Sequence, residues 1–159
     1  MTDDPIADDE ILYRRVLDGR DHYTVQNDGT IRVSSQAFYE SGFRPSVDRA
    51  KLRDNDPKKT LGTFSGGVAS LVTHDVRSIA PIVQNDEKGH FVQLCRVNVE
   101  YMPILNDPVE PDNDAHAEIY SNPPCNKRVF RKLIEKLALL AIAVIVLLYN
   151  LFVGMRRGA

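Results

Sequence analysis

The sequence is poor in the residues from which the commonest chemical sites are built. Among 159 residues it has two cysteines, Cys95 and Cys125, and four histidines, His22, His74, His90 and His116. Neither cysteine belongs to a CxxC pair, and the histidines form no HxH, HExxH or HxxxH, so no metal site is expected. Cys95 falls in a strand-like run and Cys125 in a proline-flanked stretch, so two free thiols are expected rather than a disulfide. Asp54-Asn55-Asp56 resembles the start of a calcium loop, but no glutamate closes it at the twelfth position. Gly62, Gly66 and Gly67 are not followed by the Lys-Ser/Thr of a P-loop. No cofactor is implied. The first ten residues lack both the basic and the apolar regions of a secretory signal.

Basic charge is also scarce over most of the chain. Residues 1–120 carry 13 Lys/Arg against 21 Asp/Glu, a net −8, whereas residues 121–159 carry 7 against 1, a net +6. An acidic body binds phosphate backbones poorly, so nucleic acid is not expected as a partner.

What the chain does have is a long apolar run. Leu137 to Met155, LALLAIAVIVLLYNLFVGM, holds no charge over nineteen residues, and as a helix it would extend roughly 28 Å, the thickness of a bilayer core. A single C-terminal transmembrane helix is therefore expected. Lys127, Arg128, Arg131, Lys132 and Lys136 precede the run, and Arg156 and Arg157 follow it. By the positive-inside rule the body lies in the cytoplasm, in a tail-anchored, single-pass arrangement whose basic collar meets the lipid surface. Val129, Phe130, Leu133, Ile134 and Leu137 recur at helical spacing among those cations, so the helix is expected to start before the span. Asn150 and the Gly154–Gly158 pair offer weak contacts for a partner helix or a homo-oligomer.

The remainder divides into an acidic, disordered start (1–10), a domain over 11–120, a proline-containing linker (121–126), a basic juxtamembrane helix (127–136), the span (137–155) and a short tail (156–159). Within the domain, Ile11–Val16 reads as a strand before the Asp18-Gly19 turn, and Ile31–Val33 as another after Asn27-Asp28-Gly29. Ser34 is expected to cap a short helix over Ser35 to Glu40. Lys51 to Lys59 reads as an exposed charged loop. Val68, Leu71, Val72, Val76 and Ile79 lie on one helical face, with a strand over Val68 to Thr73 as the rival. Ile82-Val83 and Phe91–Met102 form a hairpin, and Ala115–Tyr120 a further strand. The fold class expected is α+β: a small, mostly antiparallel sheet with one or two helices, followed by the anchor.

Candidate chemistry gathers in Arg14, Arg15, Ser34, Ser35, His116 and Glu118. On a strand His116 and Glu118 share a face, as an acid/base pair requires; a structural His/Glu/Arg network is the plainer alternative. Arg14, Ser35 and Glu118 also resemble the Arg, Ser, Glu order of one class of ADP-ribosyltransferases. That likeness implies that Arg and Ser hold NAD while Glu118 polarises the ribose, although the Ser-x-Ser and Glu-x-Glu forms are missing. The phrases SSQAF, PSVDRAKL and HAEIY resemble those of small bacterial proteins of uncharacterised activity, over roughly Ile11 to Tyr120. Three functions follow as expectations: a ligand- or protein-binding effector module at the membrane, a membrane-tethered nucleotide- or NAD-using enzyme with Arg14, Ser35, His116 and Glu118 as catalytic residues, or a helix that perturbs the bilayer.

Overall fold

The computed structural model describes residues 4–146. Strands β1 (Ile11–Leu17), β4 (Ser46–Arg49), β5 (Gly66–Val72), β6 (Ile82–Asn85), β7 (Phe91–Tyr101), β8 (His116–Asn122) and β9 (Ile142–Val146) build one sheet. Its order is β6-β7-β8-β4-β1-β5-β9 with antiparallel pairing throughout. Strands β2 (Tyr23–Val25) and β3 (Ile31–Val33) form a separate hairpin, whose turn is fixed by the Asp28 carboxylate accepting the Thr30 N–H at 3.0 Å. Three helices complete the fold: α1 (Pro57–Leu61), α2 (Thr73–Arg77) and α3 (Lys127–Leu140).

Alternation along β1 divides its side chains between the two faces of the sheet. Leu12 and Val16 enter the main core, while Tyr13 joins Ala50, Leu61 and Val68 in a smaller cluster on the other side. Helix α3 closes the main core. Asn126 starts it, its side chain accepting the Val129 N–H at 2.9 Å, the usual use of asparagine at an N-cap. Val129, Phe130, Leu133, Ile134 and Leu137 are all buried against the sheet and the 3-10 turn Ser35–Phe38. Phe130 stacks on Phe43 with ring centroids 4.8 Å apart. Each such side chain removed from water stabilises the fold by about 1.5–3 kcal/mol.

The helix expected over Leu137 to Met155 is not continued, because α3 ends at Leu140. No helix among the described residues is long and apolar enough to cross a membrane, so the transmembrane anchor and the tail-anchored, single-pass topology are overturned. The cytoplasmic placement falls with them, because it rested on Lys127, Arg128, Arg131, Lys132 and Lys136 as a membrane flank. These five residues instead line the solvent face of a 14-residue amphipathic helix. The apolar run begins as the last turn of that helix, where Leu137 is fully buried. At Ala141 (φ −73°, ψ 137°) the backbone becomes extended. The β-branched stretch Ile142–Val146 then pairs with β5, Ile142 opposite Ser70 and Ala143 opposite Ala69, as branched side chains favour. Positions 147–159, including the rest of the expected span, Asn150 and the Gly154–Gly158 pair, lie outside the described residues.

The antiparallel sheet itself is as expected, and the other differences are local. Val68 to Val72 is strand rather than helix: β5 pairs with β1 over seven residues, and only Thr73–Arg77 is helical. Gly66, at φ +139°, permits this pairing, since a Cβ there would lie 2.2 Å from the Val16 carbonyl oxygen. The charged stretch after Arg49 folds into a 3-10 turn (Ala50–Arg53) and α1, with Asp56 as N-cap. The start of the chain lies against the body: Ile6 is part of the main core, and Glu10 is buried beside Arg49.

Candidate functional site

Strands β1 and β4 separate after two residue pairs, Leu12 with Arg49 and Tyr13 with Asp48. Beyond that point β1 keeps its pairing to β5 while β4 keeps its pairing to β8. The main-chain groups that the split leaves without a ladder must find other partners. Arg14 and Glu40 supply them. The Arg14 guanidinium donates to the Ser46 carbonyl at 2.7 Å, to the Ala37 carbonyl at 2.7 Å and to Glu40 at 2.5 Å. Glu40 in turn accepts the Ser46 N–H at 2.8 Å. A polar wedge therefore occupies the fork.

A cavity of about 510 Å³ opens at this fork. Its walls come from β1 (Tyr13, Arg14, Arg15, Leu17), β4 (Ser46, Val47, Asp48), the α1 region (Arg53, Thr60, Phe64), the connection from Ile104 to Asn113, and His22, Glu40 and His116. Asp48 is 5 % exposed and fully engaged: it accepts from Arg53 at 3.0 Å, Thr60 at 2.9 Å and Asn113 at 2.9 Å. Arg53 also donates to the Asn113 side chain at 2.6 Å. These groups are held in place by one another, which gives the wall a fixed geometry.

Arg15 differs from its neighbours. Its Nε donates to the Thr60 carbonyl at 2.7 Å, and its guanidinium lies 4.4 Å from the Phe64 ring centroid. Among the described residues its two terminal nitrogens have no hydrogen-bond partner, and no carboxylate lies within ion-pair distance. Burial, with Arg53 and Arg14 nearby, lowers its pKa despite the countercharge of Asp48. The His22 imidazole is neutral, since one of its ring nitrogens accepts a hydrogen bond. Burial first, then Arg14 and Arg20, lower its pKa, and its Nδ1 accepts the Leu17 N–H at 2.9 Å. The ring proton therefore resides on Nε2.

The sequence-derived candidates are only partly brought together. Arg14 and His116 both line the fork cavity. The Nδ1 of His116 donates to the Met102 carbonyl at 2.7 Å, which orients the ring. Its Nε2 lies 3.9 Å from Glu118, so the two share a face as expected. Glu118 does not line the cavity. Its carboxylate is held by Arg44 at 2.6 Å, and Arg44 also binds Glu100 at 2.8 Å, which is the structural network. Ser35 lies elsewhere, in a hollow between the β2–β3 hairpin and the end of α3. Ser34 donates to the Asp21 carbonyl. Cys95 and Cys125 are free thiols, and among the described residues no group of His, Cys, Asp or Glu is placed to hold a metal ion.

Residues that the motifs did not single out supply much of the site: Asp48, Arg53, Thr60 and Asn113. Asp48, beside Val47 in β4 and five residues before its partner Arg53, is the one mark the sequence carries of them, because buried carboxylates occur only where partners wait. No family model, curated protein or solved structure matches this chain.

Proposed function

We propose that the domain is a binding module that takes a small polar ligand into the cavity where β1 and β4 part. The observation that carries this is the convergence of side chains from several separate segments on one volume, about 510 Å³. That lies within the range of small-molecule sites, and hydrogen bonds fix the walls in advance of any ligand, which lowers the ordering cost of binding. Catalysis by the four candidate residues is disfavoured because Ser35 and Glu118 lie outside the cavity that Arg14 and His116 share.

The test is an amide-shift titration of the ¹⁵N-labelled full chain against anionic, neutral and cationic small metabolites. Saturable shifts at Arg15, Asp48 and Asn113 are the expected result. A panel that leaves those amides unmoved, or that moves only the Ser35 hollow, refutes the proposal.

A further inference from the structure

The fork cavity is a donor-rich site. Its two inner carboxylates are fully committed: Glu40 to Arg14 and Ser46, and Asp48 to Arg53, Thr60 and Asn113. Its donors are not. Arg15 has both terminal nitrogens uncommitted among the described residues, and Arg14 and Arg53 each have one. Three arginines thus line a cavity whose two inner carboxylates already accept hydrogen bonds from the protein.

The Arg15 guanidinium has no ion-pair partner among the described residues, and its terminal nitrogens are open to the cavity. Folding gains little from it, since Arg15 contributes one hydrogen bond and one ring contact. It is well suited to a group that arrives from solution. Arginine presents its N–H groups in a planar array that matches the two oxygens of a carboxylate or phosphate. The chemistry that completes the cavity is therefore anionic. We infer that the ligand carries an oxyanion, a phosphate or carboxylate group, which seats on Arg15 with Arg53 nearby. The inference rests on the cavity being the binding site.

Phosphate or carboxylate alone would leave much of about 510 Å³ vacant, so the oxyanion is one end of a larger metabolite. Glu110 and Asp112 also line the cavity but are exposed. Their repulsion is screened within about 8 Å at physiological salt. They oppose entry of an anion without cancelling the inner cluster.

Inorganic phosphate and malonate serve as probes, titrated separately by calorimetry and amide shifts on the full chain at concentrations up to about 10 mM. The expected result is saturable binding of at least one, which also distinguishes phosphate from carboxylate as the preferred group. Arg15→Gln weakens that binding at least tenfold, Arg15→Lys weakens it less, and Glu110→Gln strengthens it. Arg15→Gln leaves the melting temperature nearly unchanged, because the guanidinium it removes makes one hydrogen bond and no ion pair among the described residues. Three results overturn the inference: no saturable binding of either probe, binding that Arg15→Gln leaves unchanged, or cavity shifts produced only by neutral or cationic metabolites. The last leaves the binding module standing, whereas a cavity unmoved by every probe removes both.

Discussion

Replacing Glu10 by alanine tests the most completely buried charge in the described structure. Arg49 is 0 % exposed. Its guanidinium contacts Glu10 through Nε at 3.1 Å and Nη2 at 2.6 Å, donates to the Asp4 carbonyl at 2.9 Å, and lies 4.6 Å from the Tyr101 ring centroid. Asp4 is half exposed and already pairs with Arg49 at 3.3 Å, so it offsets the loss only in part. Breaking a buried pair from one side costs about 3–5 kcal/mol, because the remaining charge stays desolvated. For a chain of this size each kcal/mol lowers the melting temperature by roughly 2–4 °C. Urea unfolding followed by far-ultraviolet circular dichroism measures the loss directly. The double change Glu10→Leu with Arg49→Met should recover most of it, since apolar residues of similar volume replace the pair. The pH dependence has a defined sign. Burial pushes the Glu10 carboxyl up, but hydrogen bonds from Arg49 and Lys51 outweigh it and hold the pKa below the ordinary glutamate value. The stabilisation is therefore present above the unfolded-state pKa and lost as pH falls through the folded one. Glu10→Gln should flatten that acid limb. A loss below about 1 kcal/mol for Glu10→Ala would show that water or a shifted Asp4 takes over from Glu10, and the argument would fail.

Three further outcomes follow from the packing. Leu133→Ala, at the centre of the α3 interface, should cost about 2–5 kcal/mol in urea unfolding, whereas Lys132→Ala on the exposed face should stay within about 0.5 kcal/mol. Gly66→Ala should lower the melting temperature markedly, because its Cβ would meet the Val16 carbonyl oxygen at 2.2 Å and the left-handed backbone strains any other residue; an unchanged melting curve would contradict the β1–β5 register. Burial and a hydrogen bond to Asp18 push the Tyr23 hydroxyl up to about 12. A tyrosine should accordingly titrate late in ultraviolet absorbance and return toward 10 in Asp18→Asn. Its stabilisation is complete below the unfolded-state pKa and lost as pH rises through the folded one.

Period-two patterns made much of the sheet legible. Ile11–Val16 and the hairpin from Ile82 to Met102 could be read because one face of each strand is buried and the other is not. The amphipathic spacing from Val129 to Leu137 was equally plain. Where α3 stops was not. An uncharged run of nineteen residues fits a membrane helix by length and hydropathy, and only the branched residues from Ile142 to Val146 favour strand. Their partner, β5, lies some seventy residues earlier, and its own helical-looking periodicity concealed it. Arg49 lies just before the stretch from Lys51 to Lys59 that reads as an exposed charged loop, yet alternation and the return of the N-terminus bury it. Arg14 and His116 were legible as candidates. Ser35 falls in another hollow and Glu118 is drawn to Arg44, tertiary facts that no local pattern encodes.

The parting of β1 and β4 has a mechanical meaning for the whole sheet. Main-chain continuity from β6 to β9 narrows to the two pairs that join β1 to β4, so the sheet is two plates sewn by two stitches. Side chains hold the plates elsewhere: Leu12, Val16 and Val47 share one core with α3. Arg15 belongs to one plate, Asp48 to the other, and Arg53 is tied to Asp48. A molecule seated on both arginines would add a third stitch. Its arrival would be felt as stiffness in the seam, readable as slower hydrogen exchange at the paired amides on either side.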